Sequence, residues 1–311
     1  MRLWVIVKVF FVAALVLFVG RELALAFNEV RWSEVGFTWP LAAAFPLMFA
    51  QRLVTTSTFV VILRGMGTTL EGKTAFGVMC VSSLGRYIPG RVMASGTATA
   101  LLARRGVAVP IALAAIALTP ALSMVVMLAM LAAVLLFHRA GGEHPSLWIL
   151  AICLSLPGLA MLHPFVFIRT ANFGLKLFGR KPVLRRITTR RYLMSIAMLI
   201  LSVVLTTVSM YLIAEGVAAP KPADAPLFLK AVLIGHVGAF LVTIAPAGIG
   251  VTEAAYMLQL SPQYGAKAAI VVIIIRLFVT LADLLRGLVG WIIIRNKGGC
   301  HERNVEVAVN T

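Results

Sequence analysis

Ser83-Leu84-Gly85-Arg86-Tyr87-Ile88-Pro89-Gly90-Arg91-Val92 interrupts an apolar stretch, 74–104, that otherwise reads as a single membrane-crossing helix. Proline removes a backbone N–H and clashes with the preceding turn, and glycine readily ends a helix. Together they cut the stretch into arms of about 12–15 residues, each reaching only about 20 Å at 1.5 Å per residue. A crossing needs about 20 apolar residues. The stretch is therefore expected to be a re-entrant helical hairpin, entering and leaving the membrane on one side. Ala245-Pro246-Ala247-Gly248-Ile249-Gly250 divides 228–260 in the same way, giving a second hairpin.

The rest of the 311 residues sets these breaks in a membrane. Of the chain, 61% is hydrophobic and only 13% charged, against about 25% charged in soluble domains. Even so, 28 Lys+Arg against 11 Asp+Glu give a formal charge of +17. With no soluble face to carry a basic groove, nucleic acid is not an expected partner. Cys80, Cys153 and Cys300 show neither disulfide nor zinc spacing.

Six segments have the length of full crossings: roughly 5–26, 39–63, 107–137, 147–168, 192–214 and 266–294. Ala24-Leu25-Ala26 resembles a signal-peptidase site, but Arg21 and Glu22 separate it from the apolar run, so an uncleaved first helix is expected. The loop from Arg169 to Arg191 contains Arg169, Lys176, Arg180, Lys181, Arg185, Arg186, Arg190 and Arg191 and no acid, which makes it cytoplasmic. With both broken segments as hairpins, the two termini, the Arg64–Lys73 loop and Arg104-Arg105 fall on that side too. Most of the basic excess is thus a topology signal, with contact to anionic inner-leaflet lipids. The expected location is the cell (inner) membrane, with a short cytoplasmic tail over 295–311.

Residues 1–137 then contain span, span, hairpin (74–104), span, and residues 147–294 repeat the order with the hairpin at 228–260. Three full crossings per unit place the second copy upside down. The expected fold is an all-α polytopic integral membrane protein, one transmembrane domain of six full helices and two re-entrant hairpins in an inverted repeat, as in many secondary transporters.

Broken helices at membrane depth must be buried in protein or line a polar cavity. The amide-bearing start of each second arm, near Arg91 and Val251, suits an anionic group. Arg52, Arg86, Arg91, Glu253, Arg276, Asp283 and Arg286 all lie inside predicted membrane segments, where each costs a few kcal/mol unless it faces the bundle interior. Arg86 and Arg91 flank Pro89-Gly90 and are candidates for clamping a phosphate. Glu253, in the first turn after Gly250, is expected to cap its helix, to pair with Arg276, or to carry a proton coupled to transport. Asp283 and Arg286, three apart, are expected to pair with each other. Arg52, mid-span beside Gln51, needs a buried partner, and His236 reads as a hydrogen-bonded core histidine.

Enzyme signatures are missing. There is no D-x-D or E-x-D dyad, P-S-G-H, H-E-x-x-H, G-x-S-x-G or nucleotide loop. Glu22, Glu29 and Glu34 are the only sensible residues for a glycosyltransferase of its own. No enzyme activity, cofactor or metal is expected.

Ser83–Val92 together with Ala103-Arg104-Arg105-Gly106-Val107 resembles the K/R-Y-x-P-G-K/R segment of the transmembrane flippase region of the lysylphosphatidylglycerol synthase family. Ala245–Ala254 is similar to that family's P-G-G-x-G-x-x-E-A pattern, with Ala247 where the family often has Gly. Ile275-Arg276-Leu277 falls where it has apolar-Arg-apolar. The resemblance is to stand-alone relatives without the aminoacyl-transferase domain. It implies translocation of an anionic phospholipid or polyprenyl-phosphate-linked glycolipid, not lipid aminoacylation. On that reading Arg86, Tyr87, Pro89, Gly90, Arg91, Pro246, Gly248 and Gly250 hold the head group, and Glu253, Arg276 and Arg52 form the coupling or ion-pair set. The alternative is a non-transporting accessory subunit that presents a lipid-linked substrate to a partner glycosyltransferase. The expected partners are the lipid or lipid-linked glycan, such a glycosyltransferase and a second copy of the chain as a homodimer.

Overall fold

A computed structural model describes residues 38–87, 92–137, 160, 162–177, 188–241 and 250–309. Every element among them is helical: α1 (Trp39–Gly65), α2 (Gly72–Ser82) running into a 3-10 turn (Ser83–Tyr87), α3 (Val92–Ala103), α4 (Val109–Phe137), α5 (Pro164–Leu177), α6 (Thr189–Ala218), a 3-10 turn (Pro222–Asp224), α7 (Ala225–Leu241), α8 (Val251–Tyr264) and α9 (Lys267–Val309).

Five stretches among the described residues are long and apolar enough to cross a membrane: Trp39–Gly65, Val109–Leu135, Thr189–Ala218, Pro222–Leu241 and Lys267–Arg295. Four match expected crossings. The expected spans 5–26 and most of 147–168 lie outside the described residues. Pro222–Leu241 falls where a short hairpin arm was expected. Its helix runs unbroken because nothing between Pro226 and Leu241 interrupts it, and the single cation, Lys230, can extend its head toward water.

Two further helical stretches have local causes. α5 occupies part of the stretch expected as a basic loop: Pro164 suits the first helical position, and Phe167 is buried with its ring 5.4 Å from that of Tyr192. α9 continues through Val309, where a tail was expected; no proline follows Pro262 to stop it.

α1 and α6 are the central antiparallel pair. Ser209 Oγ donates to the Ala44 carbonyl (2.8 Å), Gln51 Nε2 to Ser202 Oγ (2.8 Å), and Arg191 Nη1 to the Arg64 carbonyl (2.9 Å). Position rises in one helix as it falls in the other. Around this pair the chain forms two helical hairpins. α2 with its 3-10 turn packs against α3 so closely that a Cβ on Gly85 would lie 2.9 Å from the Ala94 backbone. In the other, α7 and α8 run antiparallel, and Cβ atoms on Gly235 and Gly238 would meet Tyr256 and Val251. The long helices α4 and α9 each pack on both hairpins. One apolar cluster gathers Phe59, Leu63, Val78, Leu102 and Leu122, and a second gathers Met48, Met210, Phe228, Leu233 and Leu260.

Candidate functional site

A cavity of about 230 Å³ lies where α1, α4, α6, α7, α8, α9 and the first 3-10 turn converge. Its polar lining includes Gln51, Arg52, Arg86, Ser123, Thr206, His236, Thr252, Glu253, Arg276 and Asp283, and Met124, Met127 and Phe240 make much of the apolar remainder.

Asp283 is the hub. It is fully buried, and its Oδ1 faces three guanidiniums: Arg52 Nε at 3.4 Å, Arg286 Nη2 at 3.0 Å, and Arg86 Nη2 in a close ion pair. These come from α1, α9 and the first hairpin. The i, i+3 spacing foretold the pairing with Arg286; the contacts with Arg52 and Arg86 come from the packing. Arg52 finds the partner its mid-span position required. Arg286, itself buried, also donates Nη1 to Thr56 Oγ1 at 3.3 Å.

The second ion pair ties the other hairpin to the same helix. Arg276 Nη1 lies 3.2 Å from Glu253 Oε1, and the Gly250 N–H donates to Glu253 Oε2 at 2.7 Å. Glu253 thus caps the start of α8 and pairs with Arg276 at once. Gly250 precedes that helix at φ 87°, a left-handed conformation that glycine adopts without strain. Arg276 and Asp283 are seven residues apart, two turns on one face of α9, so a single helix face holds a cation for one hairpin and an anion for the other.

Gln51, 5% exposed, sits in a hydroxyl network: its Nε2 donates to Ser202 Oγ and to Thr55 Oγ1 (3.1 Å), and Thr55 Oγ1 donates to the Gln51 carbonyl at 3.0 Å. His236 Nδ1 bonds the Val232 carbonyl at 2.8 Å. Since that oxygen only accepts, Nδ1 carries a proton. His236 is therefore both the core histidine expected and part of the cavity wall.

Of the expected head-group residues, Arg86 lines the cavity, and Gly250 stands beside it through its hydrogen bond to Glu253. Tyr87 ends the 3-10 turn, and its side chain lies outside what the structure describes. Pro89, Gly90, Arg91, Pro246 and Gly248 also lie outside the described residues, as do Glu22, Glu29 and Glu34. Ser123, Thr206 and Tyr256 were not singled out from the sequence, although Ser202 and Thr206, one turn apart within an apolar span, were a legible signal. Among the described residues no three His, Cys, Asp or Glu side chains gather into a metal-binding group.

A family model described as "Lysylphosphatidylglycerol synthase TM region" matches residues 5–287, nearly the whole chain. The chain belongs to this family. The match begins within the first expected span and ends just past Arg286, so it takes in both hairpins and every charged residue of the cavity. Together with the apolar helices it makes this a multi-pass membrane protein of a lipid-related family. No curated protein matches the chain.

Proposed function

We propose that the protein is a flippase-like transporter that moves an anionic phospholipid or polyprenyl-phosphate-linked glycolipid across the cell membrane, with its head group in the central cavity. The carrying observation is the hub in which one buried carboxylate, Asp283, is shared by Arg52, Arg86 and Arg286. A phosphate brings several acceptor oxygens to those forks and competes with Asp283 for them. Because Arg86 belongs to the first hairpin and Glu253 to the second, exchanging partners at one pair loosens one hairpin from α9 while the other stays tied.

The packing favours an inverted repeat. Exchange α1 with α6, α2 with α7, α3 with α8 and α4 with α9, and the substantive contacts among these eight helices map onto one another. α2 on α9 becomes α7 on α4, α8 on α9 becomes α3 on α4, and α1 on α2 becomes α6 on α7. With α1 antiparallel to its counterpart α6, the relating axis lies across the helices, as an axis in the membrane plane would. On this reading both hairpins are re-entrant and both termini are cytoplasmic. The work is binding and movement, not bond chemistry.

The test is translocation in liposomes holding the purified protein and a fluorescent anionic lipid. Arg52→Ala/Arg86→Ala should retain the helical spectrum and lose most of the flux. A folded double variant with native flux overturns the assignment. A wild-type protein that moves no lipid, yet is required in cells for glycan synthesis, overturns transport in favour of the accessory role.

A further inference from the structure

The cavity wall offers more than guanidiniums. Gln51, 5% exposed, forms part of it, and the hydroxyls around it fix which way its amide points. Thr55 Oγ1 gives its only proton to the Gln51 main-chain carbonyl at 3.0 Å, so it can only accept from the side-chain amide 3.1 Å away. The end facing Thr55 is therefore Nε2, which also donates to Ser202 Oγ at 2.8 Å. Turning the amide round would set Oε1 against an oxygen with no proton left to share. Neither Thr55 nor Ser202 belongs to the cavity wall, so the amide carbonyl is the end of Gln51 left for a guest. Its Oε1 is buried and accepts no hydrogen bond among the described residues. A buried acceptor without a donor is costly, so a guest that brings a donor to Oε1 is favoured over one that brings none.

Two other groups on the wall are of the same kind. Thr206 Oγ1 gives its proton to the Ser202 main-chain carbonyl at 2.9 Å, and His236 carries a proton on Nδ1, toward the Val232 carbonyl. Each then shows a guest a lone pair, on Oγ1 and, in the neutral ring, on Nε2. Ionised phosphate oxygens only accept, so the anionic part of a head group serves none of the three. A hydroxyl does. Ser123 Oγ, also on the wall, bonds the Met127 thioether at 3.9 Å, a weak acceptor, and can turn to give to a guest hydroxyl or accept from one.

We infer that the cavity recognises a hydroxyl-bearing head group, a polyol or sugar joined to the phosphate, with Gln51 Oε1 accepting from one of its hydroxyls. The lipid tail and its movement rest on the transport reading above; the hydroxyl requirement rests on the wall alone.

The experiment uses proteoliposomes of the full chain and two tail-labelled fluorescent lipids of equal charge, phosphatidylglycerol and phosphatidylpropanol. Only the glycerol hydroxyls distinguish them. Phosphatidylglycerol should move at least about fivefold faster, the lower end of what one unmet buried hydrogen bond implies. Gln51→Met removes Oε1 at nearly constant length and should bring the ratio toward one. Thr55 and Ser202, whose hydroxyls lie 3.0 Å apart, can then bond each other, so the change strands neither. A merely structural role for Gln51 would slow both lipids alike and keep the ratio. The wild-type ratio needs no variant to fold.

A second arm measures binding of radiolabelled glycerol 3-phosphate to the purified protein, with propyl phosphate as competitor. Equal flux of phosphatidylglycerol and phosphatidylpropanol overturns the hydroxyl requirement and leaves transport standing. An unchanged ratio in Gln51→Met overturns the part given to Gln51. Phosphatidylethanolamine moving as fast as phosphatidylglycerol overturns the hydroxyl in favour of an ammonium donor. Absent lipid flux, with glycerol 3-phosphate bound at least about fivefold tighter than propyl phosphate, overturns transport and keeps the hydroxyl site. Neither flux nor binding overturns both.

Discussion

The seam between α2 and α9 and the seam between α7 and α4 each join a hairpin helix to a long helix, yet they are built in opposite ways. In the first, glycines bring the helices to backbone contact: a Cβ on Gly290 would lie 2.5 Å from Cys80 Cβ and 2.7 Å from the Gly77 carbonyl oxygen, and one on Gly287 would lie 2.6 Å from Leu84. In the second, the glycines of α7, Gly235 and Gly238, face the hairpin partner α8. The side toward α4 is left to His236, Ala239 and Phe240, which face Pro120, Ser123, Met124 and Met127 across the cavity. Placement of small residues thus decides which seam is shut and which holds space. Methionine, flexible and polarizable, suits a wall that must accommodate different contents.

Charge follows a second asymmetry. α9 carries Arg276, Asp283 and Arg286, whereas α4, the other long helix packed on both hairpins, carries no charged residue at all. Of these two helices, only α9 can therefore take part in ionic ties to the hairpins, as it does through Arg276 and Asp283. The largest expected effect breaks the more deeply buried of them. Asp283→Asn removes the carboxylate that Arg52, Arg86 and Arg286 share, and losing one partner of a buried ionic cluster costs about 3–5 kcal/mol. A large fall in the unfolding midpoint in detergent, or loss of monodisperse protein, is expected. Adding Arg286→Met should recover part of it, because it removes a stranded charge. A midpoint equal to wild type for Asp283→Asn alone would show that the three guanidiniums do not depend on Asp283.

Much of the architecture was legible because it rests on length and on helix-breaking chemistry. Four expected crossings reappear within a few residues of their predicted ends, because each is an apolar run of membrane-crossing length. The Glu253–Arg276 pair was legible because the first turn of a helix favours an acid and because each charge needs a partner in apolar surroundings. The reach of Asp283 was not. Sequence spacing exposes neighbours three or four apart, but Arg86 and Asp283 are 197 residues apart, and only the packing of α2 on α9 brings them together. The helix over 164–177 was missed because eight basic residues dominated the reading of that region.

The seams themselves set the second prediction. Gly290→Ala places a methyl group against Cys80 and the Gly77 backbone, neither of which can rotate away, and overpacking of this kind costs about 1–3 kcal/mol. Ala239→Val adds bulk on the seam between α7 and α4, where there is a cavity to receive it. The unfolding midpoint should fall clearly for Gly290→Ala and by less than about 1 kcal/mol-equivalent for Ala239→Val. On the proposed transport reading, Ala239→Val should instead slow lipid movement by narrowing the cavity. Equal destabilisation by the two changes would remove the distinction between a shut seam and an open one.

The smallest effect separates the two jobs of Glu253. Its Oε2 accepts from the Gly250 N–H at 2.7 Å and its Oε1 faces Arg276 at 3.2 Å. Glu253→Gln keeps an acceptor for the cap and removes the charge, whereas Glu253→Ala removes both. A lost cap costs about 1 kcal/mol, so the alanine variant should be less stable than the glutamine variant by roughly that amount. The glutamine variant itself should lie close to wild type, because Arg276 is 25% exposed and reaches solvent. On the proposed transport reading its effect should appear in flux, where an uncharged residue 253 no longer forms the ion pair with Arg276 on α9. If both variants lose the same stability, the cap contributes nothing and the ion pair alone holds the start of α8.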